Sequence, residues 1–380
     1  MAHSPLMQLR ELGQSPWCDN VSRSFIAGDL SRWIKAGEIS GVTSNPTIFE
    51  KAIGHSGDYD TAFVALARAG KSADEIFDAL AAEDIRAVAD LLRPIYDETQ
   101  RHDGYVSLEV APNLAADTEA SFREALRLFK LLDRPNVMIK IPGTAAGIPA
   151  FQRATAEGVN INVTLLFSVE NYEQVAEAYI RGLEQRAAAG KSVDHVASVA
   201  SFFVSRVDTA IDGQLQKRID AGEQGLSGSL GQAAIANAKL AYQSFKRNFA
   251  GPRWEALTAK GAMVQRPLWG STSTKNPAYR DVIYVEELIG ADTVNTLPPA
   301  TIEAFRDHGR AALTIEQGLE EARAALERLA KAGIDLDAVT RKLQVDGVAS
   351  FTDSYNQMMA AVEEKRRVLL AESEQPVAAT

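Results

Sequence analysis

The chain has 380 residues, of which 46% are hydrophobic and 24% charged, a composition typical of folded globular proteins and not of disordered ones. Its formal net charge is -10 and its pI is near 5.2, values that argue against a broad surface for nucleic acid or for an anionic membrane. An anionic substrate would therefore need a local cationic pocket.

Cysteine usage and the N-terminal sequence bear on the compartment. The single cysteine, Cys18, excludes an intrachain disulfide, and no spacing of cysteine and histidine resembles a zinc site. Residues 1–17 lack the apolar core of a signal peptide, and no run of about 18 apolar residues occurs. We therefore expect a cytoplasmic protein with no metal and no membrane partner.

Strands and helices are predicted to alternate along the chain after a short N-terminal arm of residues 1–14. Apolar runs bounded by turn residues predict eight strands, at residues 15–19, 41–49 (stopped by Pro46), 105–110, 136–143, 159–167, 195–204, 262–269 and 293–297. Amphipathic periodicity predicts helices at residues 28–35, 59–70, 74–99, 122–132, 145–156, 168–189, most of 212–260 and most of the chain beyond 300.

This alternation predicts an α/β fold, a (β/α)8 or TIM barrel with extra helices after the sixth strand and at the C-terminus. A doubly wound open sheet is the alternative. We expect one domain, with the barrel at 15–300, a helical insert at about 212–260, C-terminal helices at 301–372 and a tail at 373–380. The glycine-rich stretch 225–231 follows no strand, so we interpret it as a loop between helices. Thr314–Gln317 resembles a helix capping box.

The fourth strand places a lysine inside an apolar sequence. Val137, Ile139 and Ile141 share one parity and would face the surrounding helices, whereas Met138 and Lys140 would point into the barrel. A buried ammonium is unfavourable unless it is paired or neutralised, and a lysine held as the free amine can attack a carbonyl and form a Schiff base. The alternative is a structural lysine that reaches past the strand end or pairs with a carboxylate.

Further polar side chains stand near the C-terminal ends of the strands, where parallel barrels form their functional sites. Asn162 and Thr164 alternate with apolar neighbours, which is a poor choice for a core without hydrogen-bond partners. The residues that we expect at this end of the barrel are Asp19, Asn45, Glu109, Lys140, Asn162, Thr164, Ser201 and Ser273.

Three segments resemble the signature sequences of the transaldolase family in its longer bacterial form. They are Gly41-Val-Thr-Ser-Asn-Pro46, Val137-Met-Ile-Lys-Ile-Pro142 and Asn162-Val-Thr-Leu-Leu-Phe-Ser168, and the similarity runs from about Ser15 to Pro299. The resemblance implies a class I aldolase-type barrel that uses neither metal nor cofactor. It also implies transfer of dihydroxyacetone from sedoheptulose 7-phosphate to glyceraldehyde 3-phosphate, giving erythrose 4-phosphate and fructose 6-phosphate in the non-oxidative pentose phosphate pathway.

The resemblance also implies roles for residues at matching positions. Lys140 would form the Schiff base, Asp19 would deprotonate the sugar C4 hydroxyl, and Glu109 would act through a water oriented by Thr164. The residues that would line or bind the dihydroxyacetone unit are Thr43, Asn45 and Asn162. The roles of Lys140 and Asp19 agree with general chemistry. Cleaving C3–C4 of a ketose needs an electron sink, which a Schiff base on Lys140 can provide, and a base, which Asp19 can provide. The structural alternatives are that Asp19 caps the following helix and that Glu109 merely pairs with Lys140.

Phosphate binding maps onto Ser201 and Arg206 after the sixth strand and onto Ser273 and Lys275 after the seventh. Many family members carry arginine where Lys275 stands, so a point charge here replaces a bidentate fork. We expect small sugar phosphates as partners, no nucleic acid, and a monomer or homodimer.

Two other functions compete with transaldolase. Fructose-6-phosphate aldolases, which release free dihydroxyacetone, resemble shorter chains with a tyrosine near the position of Phe203, so Phe203 favours transfer. A non-catalytic barrel would be expected to have lost its catalytic residues, whereas all three catalytic positions, Lys140, Asp19 and Glu109, are intact.

Overall fold

A closed barrel of eight parallel strands forms the centre of the molecule. The computed structural model describes residues 4–374, in which the strands follow one another in chain order and β8 pairs with β1. They are β1 Gln14–Asp19, β2 Gly41–Thr43, β3 Val106–Glu109, β4 Val137–Pro142, β5 Ile161–Leu166, β6 Ser198–Phe203, β7 Arg266–Gly270 and β8 Thr293–Leu297. The predicted TIM barrel is confirmed, and the open sheet is excluded because the sheet closes.

Helices surround the barrel and follow most of its strands. They are α1 Pro5–Glu11, α2 Arg23–Phe25, α3 Ser31–Lys35, α4 Pro46–His55, α5 Asp60–Arg68, α6 Ala73–Glu98, α7 Thr118–Leu132, α8 Gly147–Glu157, α9 Val169–Ala188, α10 Ser205–Asp220, α11 Ala233–Asn248, α12 Pro252–Thr258, α13 Ile283–Glu286, α14 Pro299–His308, α15 Leu319–Lys331 and α16 Leu336–Glu374. A π-helical turn, Ile26–Leu30, joins α2 to α3. No helix within residues 4–374 is long and apolar enough to cross a membrane.

The side chains of β4 alternate as predicted. Val137, Ile139 and Ile141 are buried in the large apolar layer that the outer helices share with the strands. Met138 belongs instead to a separate buried cluster inside the barrel, with neighbours from four other strands and from the residues before β3: Trp17, Tyr105, Val199, Leu268 and Val294. Lys140 therefore shares the inward parity of Met138 and lies one layer nearer the C-terminal end of the barrel.

The expected N-terminal arm contains a helix. In α1, Leu6 and Leu9 are fully buried against β1 and α14, and the hydroxyl of Ser4 accepts from the backbone N–H of Leu6 at 3.3 Å. The first strand begins at Gln14, one residue earlier than predicted. Helix α1 was not predicted, because a seven-residue helix with two buried leucines has too little periodicity to be recognised.

Two local predictions at helix starts were also wrong. The strand predicted at 41–49 ends at Thr43 and not at Pro46, and Pro46 begins α4, a helix that was not predicted. The Thr314 capping box does not form, because α15 begins at Leu319 after Gly318 in a left-handed conformation. The hydroxyl of Thr314 instead donates to the carbonyl of Glu286 at 2.6 Å and ties the segment after α14 to α13.

The predicted helical additions lie after β6 and after β8. Helices α10, α11 and α12 account for the insert, and residues 225–231 form a connection between α10 and α11, as expected. The long helix α16 packs against α4, α5, α6 and α10. This helix reaches Glu374, and the rest of the predicted tail lies outside the described residues. Because α4 and α10 follow directly on β2 and β6, α16 passes over the C-terminal end of the barrel.

Candidate active site

A cavity of about 350 Å³ opens at the C-terminal ends of the strands. Its walls come from seven strands or the loops that follow them and from α4, α10 and α16. The structure brings together there all the predicted site residues except Glu109 and Asn162, namely Asp19, Thr43, Asn45, Lys140, Thr164, Ser201, Phe203, Arg206, Ser273 and Lys275.

Lys140 lies at the floor of this cavity with its side chain only 5% exposed. Strand register puts it beside Glu109 on β3 and Asn162 on β5. Its Nζ donates to the carbonyl of Ser44 at 2.9 Å and lies 3.3 Å from Oε2 of Glu109. The amine is thus held by one backbone acceptor and one carboxylate, and its remaining side faces the cavity.

Glu109 meets Lys140 from a neighbouring cavity of about 340 Å³, which Asn45 also lines. The Glu109 side chain is 3% exposed, and burial raises the pKa of its carboxyl while the charge of Lys140 partly offsets that effect. Among residues 4–374, neither oxygen of Glu109 accepts a hydrogen bond of good geometry, and the buried hydroxyl of Thr164 also has no partner. Buried polar groups of this kind are costly unless a ligand or a water bonds to them.

Asp19 ends β1 and takes part in a short chain of hydroxyl contacts. The hydroxyl of Thr43 donates to Oδ1 of Asp19 at 2.7 Å and lies 2.6 Å from the hydroxyl of Thr296. Burial raises the pKa of Asp19, whereas Lys140, the Thr43 hydrogen bond and Arg206 lower it. The capping alternative is excluded, because the next helix begins at Arg23 with Ser22 as the preceding residue.

Asn162 and Ser201 bond to each other at the edge of the cavity, which Ser201 lines and Asn162 does not. Asn162 is fully buried, its Nδ2 donates to the hydroxyl of Ser107 at 3.1 Å, and its Oδ1 accepts from Ser201 at 2.7 Å. The amide is therefore oriented by two hydroxyls beside Lys140. The oxygen of Asn45 accepts from the backbone N–H of Ile48 and so caps α4. Contacts of these amides with a sugar stay predictions.

The rim of the cavity is cationic. Arg206 lies in the first turn of α10 and not in a loop, 5.1 Å from the ring centroid of Phe203 and 5.9 Å from that of Phe351. Lys275 is exposed and donates to the hydroxyl of Ser273 at 2.8 Å. These groups supply the local positive charge that an acidic protein needs to bind an anion.

Several residues that line the cavity were not predicted from the sequence, among them Lys51, Thr296 and Phe351. Lys51 comes from the unpredicted helix α4, Thr296 from the inward face of β8, and Phe351 from α16. Only Thr296 had a readable signal, since it is a polar residue at the end of a strand. Within residues 4–374 no three side chains of His, Cys, Asp or Glu are grouped to hold a metal ion; the expectation that neither metal nor cofactor is needed stays a prediction.

A parallel barrel that joins a buried lysine to two carboxylates under a cationic rim is typical of class I aldolase-type enzymes. Comparison with known proteins agrees: residues 16–362 match the model of the family described as Transaldolase/Fructose-6-phosphate aldolase. The chain belongs to this family.

Curated relatives cover nearly the whole chain. Transaldolase 2 of Nostoc sp. (strain PCC 7120) is 48% identical over 97% of this chain and 99% of its own. Transaldolase of Parafrankia sp. is 47% identical over 95% of this chain and 98% of its own, and that of Thiobacillus denitrificans is 47% identical over 92% and 97%. The family, the enzyme class and the transaldolase function expected from the sequence are confirmed.

Proposed function

We propose that this transaldolase carries a dihydroxyacetone unit as an imine on Lys140, taking it from sedoheptulose 7-phosphate and giving it to glyceraldehyde 3-phosphate. The observation that carries the proposal is the contact between the 5% exposed Lys140 amine and the 3% exposed Glu109 carboxylate at the floor of a cavity with a cationic rim. Erythrose 4-phosphate and fructose 6-phosphate are the products, as in the non-oxidative pentose phosphate pathway.

Imine formation is assigned to Lys140, Glu109 and Thr164. The amine adds to the C2 carbonyl of the ketose, and the resulting carbinolamine loses its hydroxyl as water. Glu109, whose carboxyl pKa is raised by burial, is suited to give and take the protons of these steps through a water that also bonds to Thr164. Neither the carboxylate of Glu109 nor the hydroxyl of Thr164 makes a hydrogen bond of good geometry within residues 4–374, which supports this assignment.

Carbon–carbon cleavage is assigned to Asp19. Its carboxylate takes the proton of the C4 hydroxyl, the C3–C4 bond breaks, and the electron pair moves into the protonated imine while the aldehyde leaves. The carbon nucleophile then adds to the aldehyde of glyceraldehyde 3-phosphate, Asp19 returns its proton to the oxygen of that aldehyde, and hydrolysis frees the product from Lys140. The hydrogen bond from Thr43 to Asp19 supports this role because it orients the carboxylate toward the cavity.

Arg206, Ser273 and Lys275 are assigned to the phosphate. They lie on the first turn of α10 and on the loop after β7, which border the same cavity. The phosphate sites of such barrels commonly lie beside the seventh and eighth strands and use a helix N-terminus. A cytoplasmic location and a monomeric or homodimeric state remain predictions.

Borohydride reduction in the presence of fructose 6-phosphate tests the proposal. We expect a dihydroxyacetone-derived mass on Lys140 in the peptide map and none on Lys51 or Lys275, the other lysines that line the cavity. A label on either of those, or turnover without any label, would contradict the Schiff-base assignment. Release of free dihydroxyacetone at the rate of donor cleavage would instead indicate the aldolase alternative, against which the ring of Phe203, lacking a hydroxyl, argues.

A further inference from the structure

Strand β5 contains a bulge at Thr164. Val163 pairs with Ala200 and Leu166 with Phe202, so Thr164 and Leu165 together oppose the single residue Ser201. Bulges next to active sites commonly redirect a side chain. Here the redirected residue is Thr164, whose hydroxyl is buried at the floor of the cavity without a hydrogen-bond partner among residues 4–374.

The backbone of this bulge is strained. Leu165 has a φ of 61°, in the left-handed region that a leucine rarely adopts. Such a conformation costs about 1–3 kcal/mol and persists only where surrounding contacts hold it. The side chain of Leu165 is fully buried in the apolar layer outside the barrel, which supplies one such contact.

Gln344 of α16 supplies the polar contacts. Its Nε2 lies 3.1 Å from the carbonyl oxygen of Leu165, 3.0 Å from that of Gly143 and 2.9 Å from Oδ1 of Asn171, and it donates its two hydrogens among these acceptors. Gly143 directly follows β4, and its N–H donates to the carbonyl of Thr164 at 2.7 Å. One amide therefore joins the ends of the strands that carry Lys140 and Thr164.

The helix approaches the bulge closely. One turn after Gln344, a Cβ built on Gly347 would lie 3.0 Å from Cδ2 of Leu165, tighter than ordinary contact. A further turn along, Phe351 contacts Arg206. Three successive turns of α16, at Gln344, Gly347 and Phe351, thus contact the floor and rim of the cavity. Of these three residues, Gln344 alone donates a hydrogen bond to the strained backbone of Leu165.

We propose that Gln344 is a positioning residue, which fixes the β5 bulge so that Thr164 and Glu109 can handle the water of imine formation and hydrolysis. The inference rests on the proposed function, because it assigns that water step to Thr164 and Glu109. Loss of the Gln344 amide would leave Asp19 in place, because Asp19 lies on β1, on the opposite side of the barrel from β5. The proposal therefore predicts a selective defect.

The test compares Gln344→Met with the parent by single-turnover kinetics on fructose 6-phosphate. Methionine keeps the length and helix propensity of the side chain but donates no hydrogen bond. A misplacement of about 1 Å can cost about 100-fold in rate. For a smaller displacement we expect imine formation about tenfold slower and C3–C4 cleavage within about twofold of the parent. Gln344→Asn, whose amide is one methylene shorter, should show the same selective slowing.

Two further variants serve as controls for this comparison. Gln357→Met changes an exposed glutamine of the same helix and should leave both phases at parent rates. Glu109→Gln should reproduce the selective defect in a stronger form, because it removes the acid–base group itself. If the parent forms no adduct on Lys140, the proposed function fails; if the parent forms it and the Gln344 variants match the parent or slow both phases equally, the positioning role is refuted.

Discussion

Replacing Arg206 with alanine tests whether the cationic rim binds the phosphate of the substrate. The guanidinium is partly buried between the rings of Phe203 and Phe351. Burial lowers its pKa, which the charge of Asp19 partly offsets. No carboxylate among residues 4–374 lies within 4.0 Å of it, although most arginines of the protein have such a partner. A cation that is desolvated and unpaired is suited to receive an anionic ligand.

The size of the effect follows from these surroundings. A hydrogen bond to a charged group contributes about 1.5–3 kcal/mol, so loss of one such contact should raise KM for fructose 6-phosphate roughly 10- to 150-fold. Lys275 is exposed and bonds only to Ser273 within its own loop. An exposed ion pair is worth about 1 kcal/mol or less, so Lys275→Ala should raise KM by no more than about fivefold, and Lys275→Arg should be tolerated.

The assay measures each variant with a phosphorylated donor and with a poor, unphosphorylated dihydroxyacetone donor. Arg206→Ala should lose affinity for the first and leave kcat/KM for the second nearly unchanged. Arg93→Ala removes an exposed arginine of α6 that pairs with Asp97, and it serves as the matched control. Parallel losses on both donors would refute the phosphate role and show that Arg206 supports the fold or the chemistry.

The remaining predictions concern Asp19. Asp19→Asn should still form the imine but cleave C3–C4 slower by about two to four orders of magnitude, since it keeps the shape and removes the base; turnover at the parent rate in single-turnover kinetics would exclude this role. Thr43→Val removes the hydrogen bond that lowers the pKa of Asp19. Because the base works as the carboxylate, activity falls as the pH drops through that pKa, and the acid limb of the kcat profile should move to higher pH in the variant. An acid limb that stays in place or moves down would show that Thr43 does not stabilise the charged form.

Much of the barrel and of its floor could be predicted because both follow from a period of two along the strands. Lys140 and Met138 share a parity that opposes Val137, Ile139 and Ile141, and the structure confirms that division. Parallel strands end at the same edge, so polar residues at their C-terminal ends meet in space even when they are distant in sequence. These residues can therefore be assigned to one site without knowing the conformations of the loops.

The contacts made by the outer helices could not be predicted in the same way. Gln344 reaches the carbonyl of Gly143 across 201 positions of the chain, and an amphipathic stripe does not say which strand a helix will cover. For the same reason, the sequence did not place Phe351 and Lys51, which also come from outer helices, in the cavity. The conformation of Leu165 could not be predicted either, because a leucine in a β-strand sequence gives no sign of a positive φ.

The two carboxylates of the site lie near one lysine, yet their surroundings suit them to different tasks. Burial raises the pKa of both, but the charge of Lys140, the hydrogen bond donated by Thr43 and the charge of Arg206 favour the ionised form of Asp19. Glu109 has no such donor and depends on Lys140 alone to offset its burial. Oε2 of Glu109 lies 3.3 Å from Nζ of Lys140, the atom on which the imine forms in the proposed mechanism. We therefore expect Glu109 to exchange protons during the imine steps and Asp19 to take the proton of the C4 hydroxyl.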